Sequence, residues 1–201
     1  AGLGIEGRPL DALSLRVLAE FIDSVERSRA GIMAAAGSFP ILEAIVGRLA
    51  TFAREVEAVR RAIDVSGEVL DEASPTLRGI RDGSASIVHG SSASGASLFL
   101  EPAATVEINN DIVELEERER EEIFRILLEL TDRFRARPGD LRAVEEVATD
   151  LDVLQARAQY SARIGGIEPT FVPDRSFELR DARHPLLQQA VPIDVVLEPP
   201  S

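Results

Sequence analysis

Apolar residues recur at three- and four-residue steps along most of this chain, a spacing that predicts helices. Leu10, Leu13, Val17, Leu18, Phe21, Ile22 and Val25 form the first stripe, on a helix that runs to about Ala36 before Gly37 and Pro40 stop it. Ile41, Leu42, Ile45, Val46, Leu49 and Phe52 mark a second helix, and a third covers about Glu55–Asp64. Gly67 reads as a turn between two short extended pieces. Ser74 is placed to cap a fourth helix, and Pro75 to occupy its first position. That helix runs into Gly83-Ser84-Ala85-Ser86 soon after it begins.

The pattern then changes. Ile87–His89 and Ser97–Leu100 are short apolar runs around a Ser/Gly-rich loop, which predicts a small β-hairpin ended by Pro102. A long helix follows from about Ala103 to Arg137, with an almost wholly charged middle, Glu114–Glu122, and Pro138-Gly139 breaks it. The last helix, about Asp140–Ile164, carries Leu141, Val144, Val147, Leu151, Leu154 and Ala158 and is closed by Gly165-Gly166. Residues 177–187 and 193–200 read as extended. The fold expected is mainly α: packed long helices with a small β-hairpin and a short extended C-terminal tail.

Composition narrows the chemistry. With 45% hydrophobic but only 4% aromatic residues, the core is built from Leu, Ile, Val and Ala. The absence of Cys excludes disulfides, zinc–thiolate sites and cysteine nucleophiles. All 22 basic residues are Arg, which excludes Schiff-base chemistry and a Walker-type lysine. A net charge of -13 repels phosphate at long range and argues against tight nucleic-acid binding by this chain, although local Arg clusters can still make contacts. No apolar run is long enough to span a membrane and no signal peptide precedes the first helix, so a cytoplasmic location without a membrane partner is expected.

Few residues suggest a site. His89 and His184 are the only histidines, and nothing supplies further ligands at metal spacing around either, so packing or turn roles are expected and no metal site. Gly90-Ser91-Ser92-Ala93-Ser94-Gly95 misses the G-x-S-x-G elbow of serine hydrolases and reads as a tight turn. Glu116, Glu117, Glu119, Glu121 and Glu122 interleave with Arg118, Arg120 and Arg125, and the Glu121–Arg125 spacing predicts ion pairs on a solvated helix face. Asn109-Asn110 reads as a buried, register-fixing amide pair, with DNA contact as the alternative. Arg133, Arg135 and Arg137 complement the dipole at the end of the long helix and are the DNA-binding candidates of this chain. No catalytic residue is assigned.

Residues 87–110, "IVHGSSASGASLFLEPAATVEINN", resemble the conserved-core signature of the second bacterial type of MutS protein, the paralogue whose full-length form ends in a Smr nuclease domain. Val88, His89, Ser92, Ala93, Ser94, Gly95, Leu98, Phe99, Glu101 and Pro102 match, as do Val106, Glu107, Asn109 and Asn110, whereas Ser97 and Leu100 replace the usual Thr and Ile. Asp71–Arg81 is similar to the start of that family's lever helix, and Ala182–Leu187 to the strand that leads into its ATPase domain.

The resemblance implies a division into residues 1–82 as the first part of a helical core with a lever stub, 83–86 as an engineered linker or deletion junction, 87–180 as a β-hairpin plus core helices, and 181–201 as the lead-in segment of an absent ATPase domain. The family has several dozen residues between the lever helix and the "IVH" segment that are missing here. It implies no cofactor in this chain, with ATP and Mg in the parent protein, and places Arg183 and His184 near the parent's nucleotide site. The parent is expected to be an ATPase, possibly an endonuclease, and a homodimer that binds branched DNA mainly through other parts and suppresses recombination. Mismatched-DNA binding, DNA repair and action on stalled ribosomes are further associations of the family. This chain is then a structural core and lever module, not itself an enzyme. The alternatives are a DNA-binding or dimerisation module in its own right.

Overall fold

A computed structural model describes residues 3, 6–35, 37–93, 102–173, 176–187 and 189–197, the side chains of 88–93 and 102–105 excepted. The chain divides into two units, Ala1–Thr149 and Asp150–Ser201.

The first unit begins with α1 (Ala12–Ala34), whose first turn is capped by Asp11: the Ser14 N–H donates to Asp11 Oδ1 at 2.8 Å. Two apolar stripes run along this helix. Leu15, Ala19, Ile22 and Val25 are buried, while Leu13, Val17 and Phe21 of the expected stripe are exposed. Helix α2 (Pro40–Val46) is shorter than expected, because Pro40 starts it and Gly47 ends it. Leu49 and Phe52 lie beyond its end and are nonetheless buried. Helix α3 (Ala53–Ala62) packs against α1 with Val56, Val59 and Ala62 inward.

An isolated bridge between Ile63 and Val69 closes the turn at Gly67, where φ is 88°. A Cβ there would meet Leu13 Cβ at 3.0 Å. Gly67→Ala is therefore expected to lower stability by about 1–3 kcal/mol through backbone strain and the close approach to α1. Urea denaturation checks this: a midpoint equal to that of the unsubstituted chain would show that the turn tolerates a side chain.

A 3-10 turn (Asp71–Ala73) leads into α4 (Pro75–Ala93), and α5 (Pro102–Arg135) packs against α4. The expected hairpin at 87–100 is not formed over its first run: Ile87–His89 lie in α4, which continues through Gly83-Ser84-Ala85-Ser86 to Ala93. Helix propagation accounts for this. Once a helix is nucleated, each residue adds a backbone hydrogen bond, and a glycine costs only about 1 kcal/mol. No proline interrupts the segment. The serine-loop reading fails over Gly90–Ala93 for the same reason, and Ser94, Gly95 and the second run Ser97–Leu100 lie outside the described residues. Pro102 opens α5 instead of ending a hairpin.

Helix α6 (Pro138–Ile164) starts on the proline that follows α5 and ends at Gly165, where φ is 64°. Val144 and Val147 are buried in the first unit. In the second unit, β1 (Phe177–Ala182) and β2 (Ile193–Leu197) form a two-stranded antiparallel sheet, so among the described residues the extended C-terminal tail is a hairpin. Phe177 pairs with Leu197 and Leu179 with Val195. The register breaks between Leu179 and Ala182, where Asp181 takes φ 51° and donates its N–H to Asp194 Oδ1 at 2.8 Å. Among the described residues, no helix is long and apolar enough to cross a membrane.

Candidate functional site

Two clusters of polar side chains in the first unit bear on a site: the base of α4 and a groove between α3 and α5. At the base of α4, Ser74 does the work that its position before Pro75 predicts, accepting the Leu77 N–H on its Oγ at 2.9 Å. The same hydroxyl donates to Glu122 Oε1 on α5 at 2.6 Å. Arg125, one turn further along α5, donates from Nε and Nη2 to the two oxygens of Glu122, both at 2.8 Å. Glu122 and Ser74 are buried. The Arg125 guanidinium, aided by the Ser74 hydroxyl and opposed by burial, holds the Glu122 carboxyl down at about 2.

Beside this triad, Arg81 of α4 bridges three elements. Its Nη1 donates to the Val69 carbonyl at 2.9 Å and to Asp71 Oδ1 at 2.6 Å, and its Nε donates to Glu119 Oε1 at 2.7 Å. The start of α4 is thus fastened to α5 and to the 3-10 turn by charge-assisted hydrogen bonds. The expectation that the acidic middle of α5 is an all-solvated face is corrected here. Glu116, Glu117 and Glu121 are exposed, but Glu122 is buried and Glu119 is half-buried in the Arg81 clamp. Arg125 pairs with Glu122, three residues away, and not with Glu121.

The groove, about 330 Å³, runs between α3 and α5. Its α3 wall carries Arg54 and Arg61, and its α5 wall Arg125 and Arg133, over a floor that includes Ile126 and Leu130. Glu129 sits between the two α5 arginines, 2.7 Å from Arg133 Nη2 and 3.5 Å from Arg125 Nη1.

The three DNA-binding candidates are not brought together. Arg133 lines the groove. Arg135 is turned to the N-terminal segment, donating to the Leu3 and Arg8 carbonyls at 2.9 Å each and pairing with Asp132. Arg137 lies over the Phe52 ring, 4.1 Å from its centroid, and bonds the Thr51 carbonyl at 2.9 Å, Glu55 at 3.1 Å and Asp140 at 2.8 Å. Arg183 and His184 are exposed at the turn after β1, where the Leu187 N–H donates to the His184 carbonyl at 3.1 Å and the Leu186 N–H to its Nδ1 at 3.3 Å. Asn109 and Asn110 are exposed on α5, so the buried-amide reading is corrected: both stand outside the stripe that α5 buries. The His89 side chain lies outside what is described. Among the described residues, no group of three His, Cys, Asp or Glu is placed to hold a metal ion. Sequence reasoning placed Glu122 on a solvated face and did not single out Arg81, Arg54 and Arg61. For the last two, their seven-residue spacing on one face of α3 was the available signal.

These features define a mainly helical protein in which several buried or half-buried charged groups clamp helices to one another. No protein-family model matches the chain. It is 44% identical over 112 residues to "Endonuclease MutS2" of Pelotomaculum thermopropionicum, covering 55% of this chain and 14% of that protein. The protein of the same name in Symbiobacterium thermophilum is 33% identical over 204 residues, covering 78% of this chain and 26% of the relative. That of Geobacillus sp. is 30% identical over 232 residues, covering 90% and 29%. On these similarities the chain belongs to the MutS2 family, and it spans less than a third of the length of these relatives. The Geobacillus alignment is longer than the 201-residue chain itself, so that relative carries residues within the aligned stretch that have no counterpart here.

Proposed function

We propose that this chain is the core and lever module of a MutS-type, ATP-dependent DNA-binding protein, coupling the state of an ATPase domain to DNA-facing parts. The observation that carries the reading is the clamp at the base of α4. Ser74, Arg81, Glu119, Glu122 and Arg125 tie the helix start to α5 with buried or half-buried charged bonds. A helix fixed this way at one end moves with the body that holds it, as a lever does. Its length beyond the clamp is restored by the residues that the longer relatives carry inside the aligned stretch, and residues 83–86 mark the junction where they are missing.

The hairpin supports the other end of the mechanism. Phe177, Leu179, Val195 and Leu197 share one face by their pairing, and Phe177, Leu179 and Leu197 are 40–58% exposed. A two-stranded sheet with an open apolar face gains stability by covering it. The ATPase domain of the parent is the partner that fits, with ATP and Mg bound there and Arg183 and His184 near the nucleotide. The parent acts as a cytoplasmic homodimer on branched DNA in the control of recombination, and the endonuclease activity named for the relatives belongs to it and not to this module.

Fluorescence anisotropy with a labelled four-way junction and a linear duplex of equal length tests this, at low and moderate salt. The module itself is expected to show no preference for the junction at either salt concentration. A junction preference of tenfold or more would overturn the reading and place branched-DNA recognition in this chain.

A further inference from the structure

We infer that the groove between α3 and α5 is a binding site for a phosphate-bearing anion, held by Arg54 and Arg61 on one wall and Arg133 on the other. The inference stands apart from the lever reading, which does not use these residues.

The first support is a pair of uncommitted arginines on the α3 wall of the groove. Arg16, Arg60, Arg81 and Arg137 are each held by a carboxylate or carbonyl, most of them by several. Arg54 and Arg61 are exposed and have no ion pair among the described residues. Other exposed arginines, among them Arg118, Arg142 and Arg157, also have no ion pair among the described residues, but Arg54 and Arg61 are the two of this kind that line the groove. Seven residues apart, they stand about 10 Å from each other along the helix, which suits contact with successive phosphates and exceeds the reach of one carboxylate.

The second support is the opposite wall. Arg133 is paired with Glu129, but the side chains are 47% and 53% exposed, and an exposed pair of this kind contributes at most about 1 kcal/mol. Arg133 is therefore able to turn to an incoming anion at little cost. Arg125 is different. It is committed to buried Glu122 and also leans on Glu129, so it supplies field and not a contact. Guanidinium forks match the tetrahedral oxygens of phosphate with paired hydrogen bonds, which favours phosphate over a simple halide or a diffuse negative surface. The groove also holds Glu57, Glu72 and Glu129, so binding is selective for compact, highly charged groups and sensitive to salt.

The source of the phosphate is either a nucleic-acid backbone or a free oligophosphate, and the test separates them. The whole 201-residue chain and its Arg54→Gln/Arg61→Gln variant are titrated calorimetrically at low salt with inorganic tripolyphosphate, a single-stranded 12-mer oligonucleotide and poly-glutamate. Both substituted positions are exposed, and an unchanged thermal midpoint verifies folding. Binding of either phosphate probe that weakens tenfold or more in the variant supports the site. Tripolyphosphate alone marks a free phosphate as the source, and the oligonucleotide alone marks a backbone. No binding of either phosphate probe, binding unchanged by the double substitution, or poly-glutamate binding as tightly as both phosphate probes would overturn it.

Discussion

Phe134→Ala is expected to be the most damaging single change in the chain, lowering stability by about 3–5 kcal/mol. Phe134 and Phe52 are both fully buried, with ring centroids 6.0 Å apart and planes 26° from parallel. They join α5 to the segment between α2 and α3 in a core with few aromatic residues to replace them. The polar shell around the pair raises the cost. The Phe52 N–H donates to Glu26 Oε1 at 2.6 Å, which reaches across from α1. Arg137 lies over the Phe52 ring, 4.1 Å from its centroid, while bonding the Thr51 carbonyl. Removing the Phe134 ring leaves a cavity beside Phe52, which Glu26 and Arg137 hold in place, so collapse is restricted. Chemical denaturation followed by circular dichroism reads the effect. A loss below about 1 kcal/mol would mean that the two rings are not the centre of the core.

Much of this architecture is legible from periodicity and capping. The Ser74–Pro75 helix start, the Gly67 turn and the breaks at Pro138 and Gly165 follow from rules that act within a few residues, and the structure realises each of them. The apolar spacing also identifies buried Ile22, Val144 and Val147. It does not say which of two stripes on α1 faces inward. Leu13, Val17 and Phe21 have the same period as Leu15, Ala19 and Ile22, and only contact with α3 decides between them.

The errors arise where the outcome depends on more than the residues next to the position. The segment Ile87–His89 has apolar residues beside glycine and serine, which is what a hairpin strand looks like locally, yet it prolongs a helix nucleated at Ser74. Asn109 and Asn110 look buried on a helical wheel but lie on a stretch of α5 whose side chains are mostly exposed. Arg135 and Arg137 read as a free basic cluster because their acceptors are at Leu3, Arg8, Thr51 and Glu55. The groove is the same problem in reverse. The spacing of Arg54 and Arg61 puts them on one face of α3, but what they face is decided only when α5 lies opposite them.

Glu122→Gln is expected to cost about 2 kcal/mol at neutral pH, and the cost is expected to fade in acid. The side chain is 90% buried, accepts three hydrogen bonds from Ser74 and Arg125, and has its pKa held at about 2 against an ordinary value of 4.5. Glutamine keeps the shape and one acceptor but leaves the Arg125 guanidinium without its counter-charge, and losing a charged hydrogen bond costs about 1.5–3 kcal/mol. The sign of the pH effect follows from linkage. Between pH 4.5 and 2 the unfolded chain takes up a proton at this carboxyl and the folded chain does not, so acid favours unfolding. The stabilisation due to the Glu122 charge is full above about pH 4.5 and lost as pH falls towards 2. The difference between the chain and its Glu122→Gln variant, measured by urea denaturation at stepped pH, should therefore shrink through that window. A difference that stayed constant from pH 7 to pH 3 would show that the substitution acts through packing, and the charged link from Ser74 to α5 would no longer explain how the start of α4 is held. Hydrogen exchange gives the local counterpart: amides in the first turns of α4 should exchange faster in the variant at pH 7, while those of α1 and α3 keep their protection apart from the shared loss of global stability. Acceleration confined to α4 would locate the attachment of α4 to α5 in this one buried carboxylate.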